Sequence, residues 1–183
     1  DVDYPLFFKY LLLSFYGFYY LIGRLLRFFK DPNDFALQFM INPQNIFLIS
    51  RFVNVLLGTL TAFVAFLIAK KFYTRKVGLA AALFVLFEFQ LVMHSQYTVH
   101  QMMASFTTLP VFYFYFKILD NDYLKNFFWT GVFLGIAFSA HHTAVFLVPP
   151  LLAVLGFCFL KNYKKSGFRY FFDRGLILVL TTL

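Results

Sequence analysis

The sequence predicts an all-α fold, a polytopic bundle of transmembrane helices, and three observations predict it. Of 183 residues, 61% are hydrophobic and only 13% are charged, where a soluble domain carries roughly 25% charged residues. The mean hydropathy is +0.73, and the apolar residues fall in runs of the length that membrane spans require. The basic residues cluster in short segments between those runs, the pattern of cytoplasmic loops. A chain so poor in polar groups cannot clothe a water-exposed globule.

The same distribution disposes of one reading of the net charge of +8. A nucleic-acid partner is not expected, because the cations are dispersed between spans and form no single basic face. The lone Cys158 excludes an internal disulfide framework and reads as a small core residue. Thirty Phe and 12 Tyr supply lipid-facing bulk and interfacial anchors and carry no function by themselves. The chain opens at Asp1 and closes at Leu183 within an apolar run, so a fragment of a longer protein is expected.

Residues 1–45 are expected to form an outer juxtamembrane segment and loop, and 46–183 the bundle. Pro5 to Ile22 can span, but Lys9 and the aromatic load also suit a helix lying in the interface. Phe35 to Ile41 is expected as a short amphipathic helix with Asp34 as its cap. Residues 46–69 form the clearest span, roughly 36 Å long at 1.5 Å per residue. Its Arg51, Asn54, Gly58, Thr61 and Ala65 are spaced to share one protein-facing side. Further spans are expected at 77–93, 102–119, 127–140 and 143–160, with Pro110 kinking the second of these, and a partial one at 175–183. Basic loops at 70–76 and 161–169 punctuate them. Four crossings separate the two loops, so both lie on the cytoplasmic side. The polar stretch His94 to Gln101 and the His141–His142 turn then face outward.

The order of these features resembles the polytopic GT-C glycosyltransferases, relatives of the dolichyl-phosphate-mannose protein mannosyltransferases and the lipid A aminoarabinose transferases. ISRFVNVLLGTLTAFVAFLIAKKFYTRK (49–76) resembles their second transmembrane helix, with Arg51 opening it, Gly58 in its small-residue seam and a basic loop closing it. VGLAAALFVLFEFQLVMHSQYTVHQMMASFTTLPVFYF resembles the next two helices and their outer loop. GVFLGIAFSAHHTAVFLVPPLLA resembles the following helix pair, and VDYPLFFKYLL the juxtamembrane "Pro-Pro-Leu" segment. The sequence departs from the family pattern at three places. The usual upstream acidic loop is represented only by Asp1 and Asp3. The acid of a later outer loop is matched by Gln101, beside His100. A Lys at the outer end of the fifth helix is matched by His141.

The resemblance implies sugar transfer from a polyprenyl-phosphate donor to a protein, lipid or glycan acceptor at the extracytoplasmic or lumenal face of a prokaryotic or endoplasmic-reticulum membrane. Such chemistry needs a base or orienting group for the acceptor hydroxyl and donors or cations for the departing phosphate. Arg51 can grip a phosphate bidentately or anchor on ordinary phospholipid. His94 and His100 lie on the outer patch, where His100 can act as base, contact phosphate when protonated, or be a solvated interfacial residue. Gln101 can orient an acceptor but cannot take its proton. Glu88, inside an expected span, is either functional or a locally bonded carboxyl. His141 is placed for phosphate contact, with a plain polar turn as the alternative. The acidic base is expected from the upstream loop or from Asp3. Gly131, Gly135 and Ser139 read as helix packing. No nucleotide-binding loop, Ser-His-Asp set or zinc spacing is present; a divalent metal ion stays open, and the bilayer, the polyprenyl-phosphate sugar and an unidentified acceptor are the expected partners. Two other readings stand beside this one. A catalytically degenerate GT-C-like scaffold subunit is favoured by Gln101, and a transporter would use Glu88 and the histidines as an ion relay.

Overall fold

A computed structural model of the chain describes residues 6–97, 100–121 and 123–182, with the side chains of 162–173 excepted. The described residues are helical, with no strand among them. In order they form α1 (Phe7–Leu25), α2 (Pro32–Ile41), α3 (Gln44–Phe72), α4 (Arg75–Phe87), α5 (Phe89–Ser95), α6 (Gln101–Asp120), α7 (Leu124–Ala140), a 3₁₀ turn (His142–Leu147) and α8 (Val148–Thr182). Three stretches are long and apolar enough to cross a membrane: Gln44–Phe72, Gln101–Asp120 and His142–Lys161. The α4–α5 pair makes a fourth if its two limbs count as one span. With 17 residues, α7 reaches only about 25 Å. The chain is an integral membrane protein.

Helix α3 is the axis of the bundle. Its first half carries Ser50, Val53, Asn54 and Leu57 into a core with Phe8 and Leu12 of α1, Met102 and Met103 of α6, and Ala140. The Tyr16 hydroxyl is hydrogen-bonded to Ser50 Oγ, and Asn45 Nδ2 donates to Tyr19 Oη at 3.4 Å, so α1 runs antiparallel along that half. At its far end Lys71 Nζ lies 3.5 Å from Asp120 Oδ2 at the end of α6. Thus α3 and α6 run in the same direction, and the bundle has a lysine end and, opposite, a histidine end. A second core joins Val111, Tyr115 and Ile118 to Phe127 and Leu134 of α7 and to Leu147, Leu151 and Cys158.

Several expectations need correction. Asp31, not Asp34, occupies the N-cap of α2, with Pro32 in the first turn, where its missing N–H costs nothing. The span expected at 77–93 is broken, because α4 ends at Phe87 and α5 leaves it at 56°. Arg51 is exposed and does not share the packed side; the buried stripe instead runs through Ser50, Val53, Asn54, Leu57 and Thr61. The loop expected at 161–169 is helical backbone within α8.

That last helix is not a straight rod. Its 35 residues would extend about 52 Å, yet the turn that leads into it and its last residue both lie beside the histidine-end half of α7. Ala144, just before α8, donates its backbone N–H to the His141 carbonyl at 3.0 Å. Thr182 lies against Gly135, where an added Cβ would come 2.8 Å from the Thr182 carbonyl oxygen. Between them Arg174 sits over the Phe127 ring at the opposite end of α7, 5.8 Å from its centroid. Chain direction therefore reverses between Cys158 and Arg174, as a basic turn between two spans would require, but with helical backbone in place of a loop.

Candidate functional site

At the histidine end the broken α4–α5 pair, the start of α6 and the α7–α8 junction enclose a polar pocket of about 430 Å³. Glu88 stands at the break. Its backbone is extended, and its side chain accepts the Leu91 N–H at 2.6 Å through Oε2, capping α5. A carboxylate on the first turn of a helix is favoured by the free N–H groups there. Glu88 is exposed at this bend and not held within a continuous span. It is the one carboxylate lining the pocket among the described residues, with Gln90, His94, Gln101, Ser105, His141 and Thr143 around it.

His94 ends α5, half-buried on the pocket wall. Gln101 opens α6, and its Oε1 is buried with no hydrogen-bond partner among the described residues. An unmet buried acceptor costs about 1–3 kcal/mol, which is recovered when a ligand hydroxyl donates to it. His141 leaves α7 with extended backbone, and its Nδ1 accepts the Thr143 backbone N–H at 3.0 Å while lying 2.7 Å from Thr143 Oγ1. A neutral ring accepting at Nδ1 carries its proton on Nε2 and can donate there. His100 stacks on His141, and His141 on His142. Burial, then the neighbouring His141 and His142 imidazoles, hold His100 below the ordinary histidine value; burial and His142 do the same to His141. A neutral ring meets a phosphate oxygen through one N–H donor and without a charge-charge grip.

Of the candidate residues read from the sequence, the fold gathers Glu88, His94, Gln101 and His141 on one pocket and stacks His100 against it. Arg51 is exposed on α3 and is not among the lining residues. Asp3 lies outside the described residues. Among the described residues no three His, Cys, Asp or Glu side chains come together to hold a metal ion. Sequence reasoning missed Gln90, Ser105 and Thr143. Gln90 and Thr143 stood next to singled-out residues; the signal for Ser105 was its place one helical turn beyond Gln101.

The family model described as dolichyl-phosphate-mannose-protein mannosyltransferase matches residues 35–182. No curated protein and no solved structure matches the chain.

Proposed function

The chain belongs to the dolichyl-phosphate-mannose-protein mannosyltransferase family, a family of membrane glycosyltransferases, and from that premise we propose that the histidine-end pocket receives the sugar and acceptor of a lipid-linked glycosyl transfer. The donor is a polyprenyl-phosphate sugar. In the reaction the acceptor oxygen bonds to the anomeric carbon, the bond from that carbon to phosphate breaks, polyprenyl phosphate leaves, and the acceptor proton passes to a base. Glu88 is the base this pocket offers, since one oxygen is fixed by Leu91 N–H and the other is left for the hydroxyl. Gln101 Oε1 orients a sugar or acceptor hydroxyl. His141, donating through Nε2, and His94 hold the phosphate oxygens. His100 keeps His141 in place by stacking and stands as a second proton acceptor. Arg51, exposed on α3, is assigned a lipid phosphate contact outside this set of lining residues. The pocket faces the extracytoplasmic or lumenal side, and the lysine end faces the cytoplasm.

The observation that carries this reading is the convergence of Glu88, His94, Gln101 and His141 on one polar pocket at one end of an apolar bundle. The test is consumption of radiolabelled polyprenyl-phosphate sugars by the full-length protein in liposomes. Wild-type protein should release polyprenyl phosphate from one of them, with a loss of about 10²-fold or more in Glu88→Gln, the range of general-base catalysis. Consumption of none overturns the reading. The degenerate-scaffold reading is favoured by one observation, that the pocket presents Gln101 where the resemblance places an acid; binding without turnover would support it.

A further inference from the structure

A second concavity lies on the other half of the bundle. It is an apolar groove of about 350 Å³ between α3, α6 and α7, lined by residues including Val64, Leu67, Pro110, Tyr113, Phe114 and Trp129. Its composition suits a hydrocarbon chain. Two of its rings also carry a cationic rim. Lys71 Nζ and Lys117 Nζ lie 5.2 Å and 4.8 Å from the centroid of Tyr113, and Lys117 lies 5.5 Å from that of Phe114. Cations over aromatic faces are held by the ring quadrupole while their outer side stays available. Lys71 shares Asp120 at 3.5 Å, whereas among the described residues Lys117 has no carboxylate within ion-pairing distance. The rim therefore carries a net positive charge directly over an apolar slot.

That pairing is the complement of one class of molecule, a lipid whose chain fills the groove and whose phosphate meets the two ammonium groups. A zwitterionic headgroup brings its own cation against Lys71 and Lys117, and an anionic headgroup does not. We propose that this groove binds one anionic phospholipid, with an acyl chain against Trp129 and the phosphate between Lys71 and Lys117. The site is at the lysine end, away from the histidine-end pocket, and does not rest on the glycosyl-transfer reading.

Trp129 is the single tryptophan of the chain and lines the groove, so its fluorescence reports occupancy directly. The protein is reconstituted in phosphatidylcholine nanodiscs containing, at equal mole fraction, either brominated phosphatidylglycerol or brominated phosphatidylcholine. Preferential quenching by the brominated phosphatidylglycerol is expected, reflecting an occupancy preference of roughly fivefold for the one net positive charge of the rim. The double variant Lys71→Gln, Lys117→Gln should lose that preference, and Lys76→Gln should keep it. Added inorganic phosphate should leave the quenching unchanged, since the headgroup alone lacks the chain. Equal quenching by the two lipids would mean indiscriminate annular contact and would overturn the proposal. Absence of quenching by either would mean that protein covers the groove, with the same result. The comparison of the two brominated lipids on the wild-type protein decides the matter even if the double variant does not fold.

Discussion

His100 and His141 lie ring on ring, with centroids 4.8 Å apart and planes 19° apart. The contact ties the entry to α6 to the exit from α7, and His142 stacks in turn on His141 at 4.2 Å. Three imidazoles packed this closely repel one another when protonated, so the stack holds together best when its rings are neutral.

Stability should therefore depend on pH with a definite sign. His100 and His141 have folded-state values below the ordinary 6.5, so the unfolded chain binds their protons more readily than the folded one. The stabilising contribution is present above about pH 6.5 and is lost as pH falls through the lowered folded-state values. A fall in Tm in micelles between about pH 7 and about pH 5 is expected. The double variant His100→Asn, His141→Asn should show a shallower fall; an unchanged slope would refute the assignment.

Glu88 caps α5, and the proposed reaction assigns it a second, separable task as base. Glu88→Gln keeps an oxygen to accept the Leu91 N–H, and Glu88→Ala removes it. Loss of a side-chain cap costs about 0.5–2 kcal/mol, so the alanine variant should unfold at lower denaturant than the glutamine variant. Both should lose glycosyl transfer. Equal stability of the two would show that the cap contributes nothing to the α4–α5 bend.

The close approach of α7 to the end of α8 depends on absent side chains. A Cβ at Gly135 would meet the Thr182 carbonyl oxygen at 2.8 Å, and one at Gly131 the Leu178 carbonyl oxygen at 3.0 Å. Gly135→Val must push the helices apart, at a cost of about 1–3 kcal/mol. Gly156→Ala, whose Cβ meets nothing within 4 Å, should instead be neutral or stabilising by up to about 1 kcal/mol through helix propensity. The contrast is measured as the shift in Tm of each variant.

Tyr115 reaches from α6 to donate its hydroxyl to the Leu147 carbonyl at 2.8 Å, in the buried core. Leu147 ends the 3₁₀ turn. Tyr115→Phe removes this link between α6 and the 3₁₀ turn and should destabilise by about 0.5–1.5 kcal/mol, the net worth of one hydrogen bond, read from unfolding of the purified variant.

The orientation proposed above predicts accessibility. Gln96, exposed at the histidine end, should as Gln96→Cys be labelled by an impermeant thiol reagent from outside intact cells. Cys158 is 2% exposed and should stay silent in the same assay. Labelling of position 96 only after the cytoplasmic face is opened would reverse the proposed topology.

The apolar runs were legible because membrane spans announce themselves locally: α3, α6 and the His142–Lys161 stretch follow from length and hydropathy alone. The candidate residues were legible as types, since Glu88 and the histidines stand out in an apolar chain. Their roles were less so. Glu88 looked intramembrane by position, and only the bend shows that its carboxylate caps a helix. Arg51 looked seam-facing by spacing, yet helical spacing fixes an angle between residues and not where the buried arc begins and ends.

The sequence by itself determined that this is a helical membrane protein, the chain positions of most of its spans, and its resemblance to a glycosyltransferase family, because each depends on residues near one another in the chain. The tertiary structure alone decided that α4 and α5 part at Glu88, that α8 doubles back along α7, and that Glu88, His94, Gln101 and His141 share a pocket. Those outcomes depend on contacts between distant segments: the choice of which helix faces meet, and how closely Gly131 and Gly135 let them approach, is a sum over packing across the bundle that no local stretch of sequence contains.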